Sequence, residues 1–340
     1  MEKAKVLLEK GRQLLQEGDW PRASEVLREA LDFLEGKETS DEGKALMSDI
    51  LIKKAHADSR LSEFELARTE LEDALELARA LKDVKNMADA YRGLAYTFIL
   101  EGDIDQAMRN YITALDHAEK CHDRDLLGRV RLELGNVYYY RYEYDKAKEE
   151  YGRALAILKA VGNQAELARV YNNLGDIHKT TGDLNESIEY HRRCMELSRK
   201  IGNLTMEGFA ALNAAEVFIL MKEPRFTREY LALASKVLEK TNDKIGQASV
   251  LRIYGMAYLA EGQLDAAEKA VNKCLAIAKA QALHNTEAEG YRALADILIA
   301  KGKKPAARNA LEQAIKLFDS TKRPKESKEA KVLKDSLDEH

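Results

Sequence analysis

Proline is scarce in this chain, with four residues among 340. The pyrrolidine ring removes a backbone donor and clashes with the preceding helical turn, so its rarity leaves room for long helices. Cysteine is scarcer, at three, too few for a secreted disulfide framework. No stretch approaches about 18 uninterrupted apolar residues, and Met1–Lys5 leads into an amphipathic pattern rather than a signal-peptide core. These absences predict a cytoplasmic protein with no membrane partner. The formal net charge of −4 supplies no global basic field, which argues against a nucleic-acid partner.

Catalytic and ligand motifs are missing too. Gly36 and Gly43-Lys44 are separated by six residues and followed by Ala45. A phosphate-binding loop needs a shorter spacing and a Ser or Thr after the lysine. Seven histidines occur without H-E-x-x-H or any Cys/His ligand spacing. The expectation is a protein that is not an enzyme and has neither metal nor cofactor.

What the chain has in quantity is apolar residues, at 45%, and charged residues, at 33%. Ala, Leu, Glu, Lys and Arg lose little on entering a helix, so this mixture suits an all-α protein. The apolar residues are also periodic. A small residue recurs at Gly11, Ala55, Ala95, Gly135, Gly175, Ala215, Gly255 and Ala295, at intervals of 40 after the first, which is 44. Twelve places on stand Ala23, Ala67, Ala107, Ala147, Ser187, Thr227, Ala267 and Ala307. Seven further on stand Ala30, Ala74, Ala114, Ala154, Cys194, Ala234, Cys274 and Ala314. Such a ruler describes stacked units that each touch their neighbours. It makes Cys194 and Cys274 small buried hydrophobes; Cys121 lies by an inter-repeat turn.

Within one unit, Ala168, Val170, Tyr171, Leu174, Gly175, Ile177 and His178 share a helical face. Thr181-Gly182-Asp183 stops that helix, and Ile188, His191, Met195 and Leu197 continue a second one to Gly202-Asn203. Asp83, Asp123, Asn163, Asn203 and Asp243 recur where an incoming helix needs a side-chain cap. His178 and His191 stand where other units hold aromatics and read as core. The extra length of the first interval falls in Glu35–Gly43, a polar loop. Unit six replaces the turn glycine with Met221-Lys222-Glu223-Pro224-Arg225-Phe226, which reads as drift rather than a kink. After Pro324, the residues Ala330, Val332, Leu333 and Leu337 mark a last helix that closes the array.

Tyr171, Leu174, Gly175, Gly182, Tyr190-His191 and Cys194, like Leu134, Gly135, Tyr138, Ala147, Tyr151 and Ala154, resemble the tetratricopeptide repeat. That unit usually has about 34 residues; the longer one here is similar to the repeats of kinesin light chains and LGN-type adaptors. The resemblance implies one right-handed α-solenoid over residues 1–340. Its repeats fall near 4–37, 48–81, 88–121, 128–161, 168–201, 208–241, 248–281 and 288–321, with a capping helix at 324–338.

It also implies function. In this family the first helix of each repeat lines a concave groove that binds peptides or partner proteins. The groove slots here hold Arg92, Tyr96, Arg129, Asn136, Tyr139, Tyr140, Arg169, Asn172, Asn173, Asp176, Lys179, Asn213 and Arg252. Amides can pair with a peptide backbone, guanidinium groups grip carboxylates, and tyrosines supply rigid contact area. Asn136, Asn173 and Asn213 would form a ladder. Arg92, Arg129, Arg169, Lys179 and Arg252 outnumber Asp89, Asp176 and Glu216, which favours an acidic ligand segment. The clamp that holds chaperone tails is absent, because Leu132, Phe209 and Asn213 stand at three of its five places. A binding scaffold is the first expectation; a regulatory sensor that changes superhelical pitch on binding a small ligand or signalling peptide is the second.

Overall fold

The computed structural model describes residues 1–34 and 40–337. Among the described residues the chain forms 17 helices and no strand, an all-α solenoid of eight helix pairs and a terminal helix. Two compact units divide it, Met1–Asn163 and Gln164–His340. The first holds α1 (Glu2–Glu17), α2 (Trp20–Asp32), α3 (Asp41–Arg60), α4 (Phe64–Leu81), α5 (Val84–Glu101), α6 (Ile104–Lys120), α7 (Arg124–Tyr140) and α8 (Tyr144–Val161). The second holds α9 (Gln164–Thr181), α10 (Leu184–Lys200), α11 (Leu204–Leu220), α12 (Pro224–Lys240), α13 (Lys244–Ala260), α14 (Leu264–Ala280), α15 (His284–Ala300), α16 (Lys304–Ser320) and α17 (Pro324–Ser336).

All three columns of small residues are buried. They are small because the facing helix passes over them. A Cβ on Gly135 would lie 2.5 Å from the Tyr151 ring, and one on Gly175 would lie 2.5 Å from the His191 ring. His191 is thus core, as expected, and His178 is buried with its ring stacked on Tyr190 at 5.3 Å. Cys194 and Cys274 are buried, and burial pushes their thiols up to about 12 and about 11.

Boundaries follow the expected chemistry. Asp83, Asp123, Asn203 and Asp243 each accept a hydrogen bond from a first-turn amide. Asn163 donates its side-chain amide to Asp125 at 2.6 Å. The pair-closing turns put one residue at positive φ, the region glycine enters without strain. Gly182 does so at 89°, and Lys222 takes 60° in unit six. The same turn hydrogen bonds form around both, Asp183 N–H to His178 O at 2.8 Å and Glu223 N–H to Phe218 O at 2.9 Å. Losing the glycine therefore did not alter the turn. The loop assigned to Glu35–Gly43 is shorter than expected: Glu35–Thr39 lie outside the described residues, but Ser40 caps α3 by accepting from Gly43 N–H at 3.0 Å, so Asp41–Gly43 are helical.

One buried cluster breaks the apolar rule. Lys54 on α3 stands in the column that holds Leu94, Leu134, Leu174 and Leu294 in other repeats, yet it is buried with Asp58 and Glu70. Its ammonium donates to Asp58 at 2.7 Å and to Glu70, while Ser24 on α2 donates to Asp58 at 2.5 Å. Burial raises the Glu70 carboxyl to about 7 against the pull of Lys54, with the Asp58 charge adding to the rise.

The last helix covers the end of the second unit. Ala330 is buried against Leu298 and Leu311, with Leu333 and Leu337 packed beside it. Deleting residues 322–340 should expose that surface and cause self-association, with the helical signal per residue nearly unchanged. Sedimentation of the truncated chain as an unaltered monomer with unchanged melting would deny α17 a covering role.

Candidate functional site on the inner helix layer

First helices of successive pairs touch one another: α1 with α3 and α3 with α5 in the first unit, and α9, α11, α13 and α15 in series in the second. They form the inner layer of each unit, and every groove residue expected from the sequence stands on one of them. Arg92 and Tyr96 lie on α5; Arg129, Asn136, Tyr139 and Tyr140 lie on α7. In the second unit, Arg169, Asn172, Asn173, Asp176 and Lys179 lie on α9, Asn213 on α11 and Arg252 on α13.

The groove slots are only partly open to solvent. Apart from Tyr140, which is 53% exposed, the other twelve are half-buried. The reason is that these groups bond to one another. Asn136 accepts from the Tyr151 hydroxyl at 2.9 Å, so part of its role is to satisfy a buried phenol. Asn213 donates to Asn172 at 3.1 Å, and Asn172 donates to Asp176 at 3.2 Å. Asn172 thus joins Asn213 and Asp176 in one row of hydrogen-bonded side chains. The Tyr96 hydroxyl accepts from Arg60 at 3.2 Å, and its ring lies 5.0 Å from that of His56. Tyr139 packs between Tyr140 at 6.2 Å and Tyr144 at 5.7 Å.

Each of the five cations has a carboxylate beside it. Arg129 lies 3.0 Å from Asp125 and Arg169 lies 2.7 Å from Glu166, both on the same helix. The other three are tied across repeats. Arg92 meets Asp89 at 2.8 Å and Glu133 at 3.1 Å. Lys179 meets Glu216 at 2.5 Å; Arg252 lies 3.5 Å from Glu216 and 3.3 Å from Glu289. Burial alone would raise the Glu216 carboxyl, but Lys179 and Arg252 hold it at about 2. Lys53 and Arg92 likewise outweigh the burial of Asp89 and keep it well below the ordinary range. The positive excess counted from the sequence is thus answered within the protein. Glu133, Glu289 and Lys53 were missed, although they occupy groove slots in repeats four, eight and two.

Among the described residues, no group of three or more His, Cys, Asp or Glu side chains is placed to hold a metal ion. No described helix is long and apolar enough to cross a membrane. An open cavity of about 510 Å³, lined by Asp265, Glu268, Lys269, Asn272, Lys273 and Lys301, contains none of the expected site residues.

Stacked helix pairs with this column of small residues are what the tetratricopeptide repeat model describes, and that model matches residues 86–160, 126–200 and 246–320. Because these segments span more than half of the chain, it belongs to the tetratricopeptide repeat family. It resembles the Arabidopsis thaliana protein KINESIN LIGHT CHAIN-RELATED 1, with 24% identity over 202 residues, 58% of this chain and 33% of that protein. The chain thus spans about a third of that relative's length. Among solved structures, the apo quorum sensor NprR from B. thuringiensis is similar at a TM-score of 0.70 and 13% identity, over 93% of this chain and 87% of that one. A Rap protein complexed with Competence and Sporulation Factor gives 0.66 and 13%, over 99% and 98%. At these identities the structures share the fold.

Proposed function

We propose that this protein is an interaction scaffold whose inner helix layer holds a peptide or a segment of a partner protein. The observation that carries the reading is the concentration of amide, guanidinium and phenol groups along α5, α7, α9, α11 and α13, half-buried and oriented by one another. Groups held this way lose little freedom on binding, which favours affinity. An acidic residue of the ligand would meet Arg129 in the first unit or Arg169 in the second. Their carboxylate partners sit on the same helix, and such half-buried, same-helix pairs remain open enough to solvent to exchange. A regulatory sensor is the second reading, supported by the likeness to a quorum sensor and to a Rap protein complexed with a factor.

The test is capture of partners on the intact chain, followed by titration of the captured partner against variants. Replacing Asn173 and Asn213 by alanine should lower stability by about 1 kcal/mol, since Asn213 also bonds Asn172, and weaken binding roughly tenfold to hundredfold, at about 0.5–1.5 kcal/mol per hydrogen bond lost to the ligand. Asn136→Ala should also lower stability, because it removes an acceptor from Tyr151. Arg129→Ala and Arg169→Ala should flatten the salt dependence for an acidic partner. Unchanged affinity in all of these would move the binding surface to the outer helices or the turns.

A further inference from the structure

A chain of alternating charge runs the length of the second unit's inner layer. Lys179 on α9 meets Glu216 on α11, Glu216 meets Arg252 on α13, and Arg252 meets Glu289 on α15. Glu289 lies 2.9 Å from Arg323, at the N-cap of α17, and Arg323 lies 2.9 Å from Glu326. Glu216 and Glu289 thus each sit between two cations from the repeats on either side. With Asp176, 3.6 Å from Lys179, the chain holds three cations and four carboxylates. The first unit links its repeats by another pattern, each cation meeting a carboxylate of the next repeat: Arg12 to Asp49 at 2.5 Å, Lys53 to Asp89 at 2.8 Å, and Arg92 to Glu133.

We infer that Glu216 and Glu289 determine ligand charge: they occupy the carboxylate positions between Lys179, Arg252 and Arg323, and so restrict this stretch to ligand segments without acidic side chains. This rests on the inner-layer reading above and makes it more specific. An incoming carboxylate could bind these cations only by displacing one already held by the fold, whose effective concentration is far higher. It would also approach a row with one more negative charge than positive. Like charges brought together on a partly desolvated surface are what discriminates against wrong partners. The segment that fits is neutral or of alternating sign, and any acidic residue is confined to the Arg169 end.

The experiment uses the full chain and two blocked hexapeptides as probes, hexaglutamate and a Gly-Ser peptide, titrated by calorimetry at low ionic strength. With Arg129→Ala and Arg169→Ala in place, which removes the two groups proposed for acidic ligand residues, the chain should show no more affinity for hexaglutamate than for the neutral probe. Glu216→Gln with Glu289→Gln should bind hexaglutamate at least roughly tenfold more tightly than wild type does, and added salt should abolish the gain. If the double variant fails to fold, Glu216→Gln alone serves. Lys179 then keeps Asp176 and Arg252 keeps Glu289, and the gain should be several-fold. Adding Arg252→Gln to either variant should reverse it. Equal binding of hexaglutamate by wild type and folded variants would overturn the assignment. Failure of the asparagine variants to weaken the captured partner would instead remove the inner-layer reading, and the charge selectivity measured with the probes would still stand or fall by itself.

Discussion

Lys54→Ala is expected to destabilise the first unit by about 3–5 kcal/mol at a pH near 8, the usual cost of removing one member of a buried ion pair. Its ammonium is the one hydrogen-bond donor common to Asp58 and Glu70, and both carboxylates are buried. Without it, two negative charges would face each other out of water, and Glu70 Oε2 already has no hydrogen-bond partner. The loss should shrink on acidification. Glu70 in the folded chain holds its proton up to about 7, whereas the ordinary value is 4.5. Between those values the folded state binds more protons than the unfolded state, so the Glu70 contribution falls as pH rises. Denaturant midpoints at pH values near 5.5 and 8 check this. Glu70→Gln should remove that part of the pH dependence. A Lys54→Ala cost that is small, or identical at both pH values, would mean the triad opens to water in solution.

The second large effect is expected at Ala147. Its side chain has no exposed surface, and it belongs to the column of small residues where helices of a pair meet. Ala147→Leu forces three more carbons into that contact and should cost about 1–3 kcal/mol. Lys148, the next residue, is exposed, and Lys148→Leu should stay within roughly 0.5 kcal/mol of wild type. Thermal melting of the two variants separates them. Coincident melting curves would shift the helical register, and every inner-layer assignment with it.

The sequence disclosed the helix pairs because a buried contact between helices constrains residue size, and size is visible in one letter. Gly135, Gly175 and Ala147 could be read as close approaches before any partner was known. Capping was legible for the same local reason: Asp123 acts on an amide three residues away. The electrostatics of the site was not. Arg92 and Glu133 are 41 residues apart, Lys179 and Glu216 are 37, and a slot-by-slot reading treats each as a free group facing solvent. Lys54 was detectable in principle, since it interrupts a leucine column, but its partners Asp58 and Glu70 look like ordinary surface acids until the two helices are packed. Asn136 was assigned wholly to ligand binding because nothing in the letters shows that the Tyr151 hydroxyl ends beside it.

The alternating chain of the second unit also constrains how such an array can evolve. Its sign reverses at each repeat, positive at Lys179, negative at Glu216, positive at Arg252, negative at Glu289, and positive at Arg323. The helices repeat every 40 residues, but the charged partners stand 37, 36 and 37 residues apart, so the chain steps about one turn toward the N-terminal end of each successive inner helix. Duplication or loss of one repeat, or of two, would preserve the packing but move these partners out of register along their helices. The chain is therefore tied to this number and order of repeats, and an array that gained or lost repeats, singly or in pairs, should not carry it unchanged.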